Sequence, residues 1–493
     1  MIARTVSVAR SRCGVPGCAP ASCCLHQTSA RISYDYPSVS ALVSECFANL
    51  SLDVARVDVP HWNPLGALIH PGETVLVKPN LVKEHHPRDP EGWKYVLTHG
   101  SVIRAACDYI WKALDGVGRV IIADAPQTDS SFDKVVELLQ LEELVESYRA
   151  QGLQCDLVDL RREEWSLRDG VIDKRRKLAG DPNGYVALNL GRHSELAGHG
   201  GSGRYYGADY DQNEVNSHHS NGKHEYLISG SAIAADVIFS IPKMKTHKKA
   251  GITGGLKNLV GVNGDKNWLP HHTEGTPASG GDERPDGSSA KSERALVSAL
   301  RRTILSLPSI GGAVHRYGRR AALAVYGSSE DVIRSGNWYG NDTIWRMCLD
   351  LNKAILYGNP DGTLREDRFS QAKRHYVLVD GIIAGEGNGP MNPDPVHAGV
   401  LLFGTNAASV DAVSAYLMGF DPELIPIICQ AFQCKSYRLA DWDWHEIEVR
   451  SNHAPWNGQL TEIASDSTFR FRPHFGWASH IERQAVEQDG RSV

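Results

Sequence analysis

"ADVIFSIPKMKTHKKAGITGGLKNLVG", residues 235–261, is the stretch that decides the fold. Val237 to Ile241 is a β-branched apolar run of the kind that fills a buried strand, and Pro242, with no N–H for a ladder, marks the end of regular pairing. Five lysines and one histidine follow, so positive charge begins where the strand leaves its sheet. In open α/β sheets that rim is where ligands bind. Lys243 and Lys245 have strand spacing and are expected on one side. Gly254 and Gly255 let the backbone approach a ligand closely, and Thr253, Lys257 and Asn258 add donors near a helix start that favours an anion. A solvated basic turn is the plainer reading of a lysine run. Small residues between the lysines, and the lack of any acid before Asp265, favour a receptor for phosphate or carboxylate instead.

Working outward, "TVLVKPN" (74–80), "SVIRAACDYIWKAL" (101–114), "RVIIADAP" (119–126), "DKVVELLQLEELVESYRAQG" (133–152) and "CDLVDL" (155–160) alternate strand and helix patterns. Such alternation implies right-handed crossovers and a parallel sheet. Lys78, Asn80 and Asp124 then fall at strand carboxyl ends. "RTVSVAR" (4–10) reads as a first strand rather than a secretory leader, because it lacks an apolar core. A second set begins near "YVALNL" (185–190) and resumes with "HYVLVDGII" (375–383), "GVLLFG" (399–404) and the helix "NAASVDAVSAYLMGF" (406–420). The expected architecture is α/β: two facing units with mainly parallel sheets and a cleft between them. Residues 1–180 form the first unit and 181–440 the second, with a mobile polar insertion at 271–293 and an irregular tail over 441–493. The polar tract 191–224 is expected as a further irregular excursion.

Across 493 residues, 41% are hydrophobic and 22% charged, which excludes disordered and fibrous classes. No apolar run approaches the roughly 20 residues that span a bilayer. A net charge of −6 advertises no nucleic-acid or membrane partner, and no aromatic residues interleave with the lysines as stacking platforms would require. Ten cysteines are too few for a disulfide scaffold in so long a chain, and a reducing cytoplasm is expected. Cys13, Cys18, Cys23 and Cys24 cluster, but with the spacing of neither a ferredoxin run nor a zinc knuckle pair.

In "VDGIIAGEGNGPMNPDP" (379–395), Asp380 closes a strand and Glu386 lies among glycines, so two acids could face a ligand; glycine-permitted turns use the same residues. Asp350 and Asp411 sit in apolar helical patterns where an unpaired carboxylate is costly, so each needs a partner, either a lysine or a metal. His247 can serve as acid/base group or metal ligand.

Together "VLVKPNLV" (75–82), "LTHGSVIRA" (97–105), "IIADAP", "IFSIPKMKTHKKAGITGGLKNLVG", "DLNKAI", "VLVDGIIAGEGNGP" and "GTNAASVDAVSAYLMG" resemble an uncharacterised family known as domain of unknown function 362. The resemblance covers about residues 70–435 and implies little about activity. "THKKAGITGGLKN" (246–258) is also similar to a segment of the nickel-pincer lactate racemases, in which a histidine takes part in catalysis and a lysine carries the pincer nucleotide. That similarity would match His247 and Lys257, with His271 or His272 near a further active-site histidine. After "VIIADAP", where those racemases place another histidine, this chain reads "QTDSS". The nickel-pincer nucleotide is therefore not expected here, and the architecture alone is.

The expected function is that of an enzyme, of isomerase, racemase or transferase type, acting on a small anionic metabolite. Lys78, Asn80, Lys243, Lys245, Thr253, Gly254, Gly255 and Asn258 would bind it. His247, Lys257, Asp380 and Glu386 would carry catalysis, and Asp124, Asp380 and His247 could hold a divalent metal. Two alternatives stand beside this: an iron–sulfur or metal-binding redox protein, and an anion-binding protein without turnover. Oligomeric state is not legible.

Overall fold

The computed structural model describes residues 2–11, 34–57, 59–168, 171–207, 211–287, 332–366, 369 and 372–484. The N-terminal cysteines at 13, 18, 23 and 24, and the insertion beyond residue 287, lie outside them. Val75, Leu76 and Val77 are all fully buried, the mark of a parallel strand covered on both faces.

In chain order the strands are β1 (Thr5–Arg10), β2 (Thr74–Pro79), β3 (Arg119–Asp124), β4 (Gln154–Asp159), β5 (Glu163–Arg168), β6 (Val171–Lys177), β7 (Tyr185–Asn189), β8 (Tyr205–Gly207) and β9 (Glu225–Ser229). They continue with β10 (Val237–Ile241), β11 (Lys243–His247), β12 (Gly251–Thr253), β13 (Pro270–Thr273), β14 (Arg374–Asn388), β15 (Asn392–Val396), β16 (Val400–Gly404), β17 (Glu448–Ser451) and β18 (Gly458–Gln459). Twelve of them form one sheet whose path runs β18-β17-β1-β16-β14-β10-β2-β3-β4, with β11 and β15 branching from β14, and β12 from β11. From β14 to β4 every neighbour is parallel. β16 runs antiparallel between β14 and β1.

Alternation along the strands sends side chains to two cores. Val75, Val77, Val237 and Phe239 pack with the helices Tyr36–Asn49 and Gly100–Ala113 on one face. Leu76, Ile121, Ile238, Val377 and Val379 pack with Ile344–Tyr357 and Ala407–Leu417 on the other.

The α/β class and the mainly parallel sheet are as expected. Among the described residues, however, no second large sheet faces the first. β10 lies between β2 and β14, so the boundary expected at residue 180 does not fall at a break in the sheet. The "YVALNL" strand does not join this sheet; as β7 it pairs with β9 in a separate ribbon. The helix expected over 133–152 divides at Gln140, whose φ of 54° ends Phe132–Leu139 and begins Leu141–Arg149.

The tail expected to be irregular adds β17 beside β1 and buries Trp456 and Trp477, because its scattered aromatics find the large core. Within the expected mobile insertion, Asp282 is buried. It accepts from the backbone N–H groups of Thr273, Asp342 and Thr343 and from the Thr343 hydroxyl, so residues 271–287 are tied down.

Candidate functional site at the strand ends

β2 and β10 end side by side, whereas β14 runs on past them to Asn388, and β11 leaves β10 after Pro242 to run along that extension. This turn brings Lys78, Lys243 and Lys245 into one buried layer, each no more than 1% exposed. Their surroundings separate them.

Lys78 forms an ion pair with Asp124 at 2.8 Å and donates to the Pro79 carbonyl at 2.7 Å and Asn258 Oδ1 at 3.2 Å. Asp124 Oδ2 accepts the Leu81 N–H at 2.7 Å. Gly261 closes over this pair: a Cβ there would lie 1.9 Å from Asp124 Oδ1, so only glycine fits. Lys243 donates to Asp380 Oδ2 at 2.9 Å and to the Tyr34 hydroxyl at 2.6 Å. Asp380 also accepts from the Tyr34 hydroxyl at 2.9 Å and the His99 N–H at 3.0 Å. Lys78 and Lys243 are thus neutralised inside the protein, and so are Asp124 and Asp380.

Lys245 has no such carboxylate. Its ammonium donates to Asn80 Oδ1 at 3.1 Å and the Val96 carbonyl at 2.6 Å, both neutral. Burial first, then the charges of Lys243 and Lys257, hold its pKa well below the ordinary lysine value. Across the β11–β12 ladder Lys245 faces Thr253, whose buried hydroxyl has no partner. Lys257 is half-buried, and its side chain makes no hydrogen bond or ion pair among the described residues; burial lowers its pKa too. The charge of Lys257 contributes to lowering the pKa of Lys78, Lys245, His247 and His271.

His247 Nδ1 accepts the backbone N–H groups of Lys249 and Ala250, both at 3.1 Å. The tautomer is therefore Nε2–H, and this face of the ring can only donate. His271 is opposite in sense: Nδ1 donates to the Leu269 carbonyl at 2.8 Å, leaving Nε2 as an acceptor. Burial and then neighbouring lysines keep both rings well below the usual imidazole pKa, hence neutral.

The other expectations resolve differently. Asn80 and Asn258 belong to the network, with Asn258 Nδ2 donating to the Lys78 carbonyl and the Ser240 hydroxyl, each at 2.8 Å. Gly254 precedes and Gly255 begins a helical turn, but its free N–H groups are already taken: Asp411 accepts those of Gly255 at 2.6 Å and Leu256 at 2.9 Å. The anion at this helix start is the protein's own. Neither a lysine nor a metal is needed to explain Asp411. Asp350 likewise accepts from the Ser194 and Tyr226 hydroxyls and the Glu195 N–H. Glu386 leaves the group, because Arg472 from the C-terminal segment donates its N–H to it at 2.9 Å. Asp124, Asp380 and His247 do not assemble as a metal set; among the described residues no three His, Cys, Asp or Glu side chains are placed to share an ion.

Sequence reasoning missed Tyr34, which caps the Lys243–Asp380 pair from a residue far away in the chain. It also missed Asn352, whose amide donates to the Leu256 carbonyl at 2.8 Å while its buried Oδ1 stays unpaired. The Asn in "DLNKAI" was visible, but nothing local reveals its orphaned oxygen.

Fold and site define an α/β protein with an uncompensated pair of lysines at the rim of its parallel strands. Residues 75–182 and 185–416 match the family described as Domain of unknown function (DUF362), and the chain belongs to it. It is 22% identical over 390 residues to a thylakoid-associated protein of Synechocystis sp., an alignment covering 79% of this chain and 77% of that one. A crystal structure of a Thermotoga maritima protein is similar at 11% identity with a TM-score of 0.27, over 74% of this chain and 56% of that one.

Proposed function

We propose that the protein is an enzyme acting on a small anionic metabolite, with a phosphate or carboxylate group held at Lys245 and Lys257. The carrying observation is the imbalance in the site: two buried or half-buried lysines lack any carboxylate, beside an unsatisfied Thr253 hydroxyl. A buried cation without a counter-charge is costly to keep. An incoming anion would supply the missing charge and acceptors. Lys78, already paired, holds Asn258, which in turn accepts from Asn80, while Lys243 stays locked to Asp380. His247 as a donor and His271 as an acceptor would give one group able to hold a proton toward the substrate and one able to receive it. That polarity fits an isomerase, racemase or transferase.

A reducing cytoplasmic setting belongs to the same proposal and is supported by the six cysteines described as free. No helix among the described residues is long and apolar enough to cross a membrane. The thylakoid association of the Synechocystis relative makes a membrane surface the competing location, which cell fractionation decides.

The test is calorimetric titration with inorganic phosphate and with acetate. Wild type binds at least one of them, and Lys245→Met and Lys257→Met each weaken binding at least tenfold, or about 1.4 kcal/mol. Undiminished binding in both variants rejects the site. Binding with no turnover across a panel of phosphorylated and carboxylated metabolites favours the non-catalytic reading.

A further inference from the structure

A net charge of −6 conceals a local excess of the opposite sign. β5 and β6 pair only with each other, as an antiparallel ribbon outside the large sheet. A two-stranded ribbon is marginally stable alone, so it needs an anchor. Trp165 provides one, being buried and donating its N–H to the Thr128 carbonyl at 2.8 Å. Arg161, also buried, ties the base by donating to Glu164 at 3.2 Å and to the Ser130 carbonyl at 2.7 Å.

β6 reads "DKRRK" over 173–177, and all five residues are exposed. The register sets Lys174 opposite Ser166, Arg175 opposite Trp165, Arg176 opposite Glu164 and Lys177 opposite Glu163. Alternation sends Lys174 and Arg176 to one face of the ribbon and Arg175 and Lys177 to the other. Arg176 is answered by Glu164 at 3.2 Å. Arg175 lies over the Trp165 ring at 4.5 Å, which positions its charge without neutralising it. Glu163, opposite Lys177, accepts from the Trp165 indole at 3.0 Å, and Asp173 is the one acid on the strand. Among the described residues the side chains of Lys174, Arg175 and Lys177 make no hydrogen bond or ion pair.

We propose that this ribbon is a docking surface for an anionic lipid bilayer, with Lys174, Arg175 and Lys177 set among the headgroups. The uncompensated cations lie on both faces of the ribbon, so they ring it as a collar. In a headgroup layer a collar meets anions on every side, whereas a nucleic-acid strand would engage one face. Nucleic acid also calls for exposed aromatic platforms, and the ribbon's one aromatic residue is buried beneath Arg175. Past the basic row the register continues with Leu167 opposite Ile172 and Arg168 opposite Val171, and three of those four are apolar residues. Basic and apolar residues in succession are the composition of a segment that lies in a membrane interface. Each cation near an anionic surface strengthens attachment about fivefold.

The test is sedimentation of the full chain with vesicles of phosphatidylcholine alone and of phosphatidylcholine mixed equally with phosphatidylglycerol. The expected result is binding to the mixed vesicles that weakens as salt rises, and none to phosphatidylcholine alone. The double variant Lys174→Gln/Lys177→Gln is expected to bind about twenty-five-fold more weakly, at fivefold per charge. Arg175 is spared because it covers Trp165, and thermal denaturation of the double variant is expected to match wild type. Lys435→Gln, at an exposed lysine outside the ribbon, leaves binding as in wild type. No sedimentation with the mixed vesicles, equal sedimentation with both kinds, or a loss in the double variant no greater than in Lys435→Gln overturns the proposal. Displacement from the mixed vesicles by a single-stranded oligonucleotide at equal phosphate concentration overturns it too, and assigns the ribbon to nucleic acid.

Discussion

Lys243 and Lys245 stand two residues apart on one strand, equally buried, and only their neighbours tell them apart. Lys243 completes an ion pair with Asp380, so Lys243→Met strands a buried carboxylate and is expected to cost about 3–5 kcal/mol. Lys245 answers no carboxylate, so Lys245→Met relieves a desolvated cation and is expected to leave thermal stability unchanged or raised while anion binding is lost. Thermal denaturation of both variants beside phosphate titration checks the contrast. A fall in stability of Lys245→Met equal to that of Lys243→Met would show that its charge is compensated after all. Sequence alone marked both lysines as ligand-binding. It could not separate them, because Tyr34, Asp380 and Val96 come from distant parts of the chain.

The short helix Gly255–Asn258 shows the same limit at the level of an element. β10, two strands earlier, was legible from its five consecutive apolar or small residues, and the turn from its glycines. Its N-terminus was expected to await an anion. Asp411, more than 150 residues later, fills that place, and glycine at 254 is required because a Cβ would lie 2.3 Å from its carboxylate. Burial pushes Asp411 up to about 7 from an ordinary 3.8, against the lowering effect of the two N–H donors. A raised carboxyl pKa contributes stability that is fully present below the unfolded value and is lost as pH rises through about 7. Asp411→Asn keeps an acceptor and removes the titration. Its melting temperature relative to wild type is therefore expected to climb between about pH 4 and pH 7 and then level off. A difference that stays flat over that range would mean Asp411 ionises normally.

At the scale of the whole molecule, helix–strand alternation made the β2-β3-β4 layer legible, whereas the merging of later strands into the same sheet was not, since pairing order leaves no local pattern. The C-terminal segment is the clearest case. Ile447, Val449, Trp456, Leu460, Phe471 and Trp477 are all buried, and large apolar side chains lost from a core cost about 2–5 kcal/mol each. Two or three of them exhaust a typical total stability of about 5–15 kcal/mol. A chain ending at residue 440 is expected to be insoluble or to lack a cooperative melt, as solubility and calorimetry will show. A soluble, cooperatively melting product would make the segment an appendage.

β1 has both its partners far along the chain: Ser7 is registered against Phe403 on one side and Val6 against Val449 on the other. During translation the β4-β3-β2-β10 block, all within residues 74–241, can zip together on the ribosome. β1 must instead wait, unpaired on both flanks until residues 400–404 have been made and on the second flank until residues 448–451 have followed. Its vulnerable interval is then set by elongation speed rather than by its own propensity.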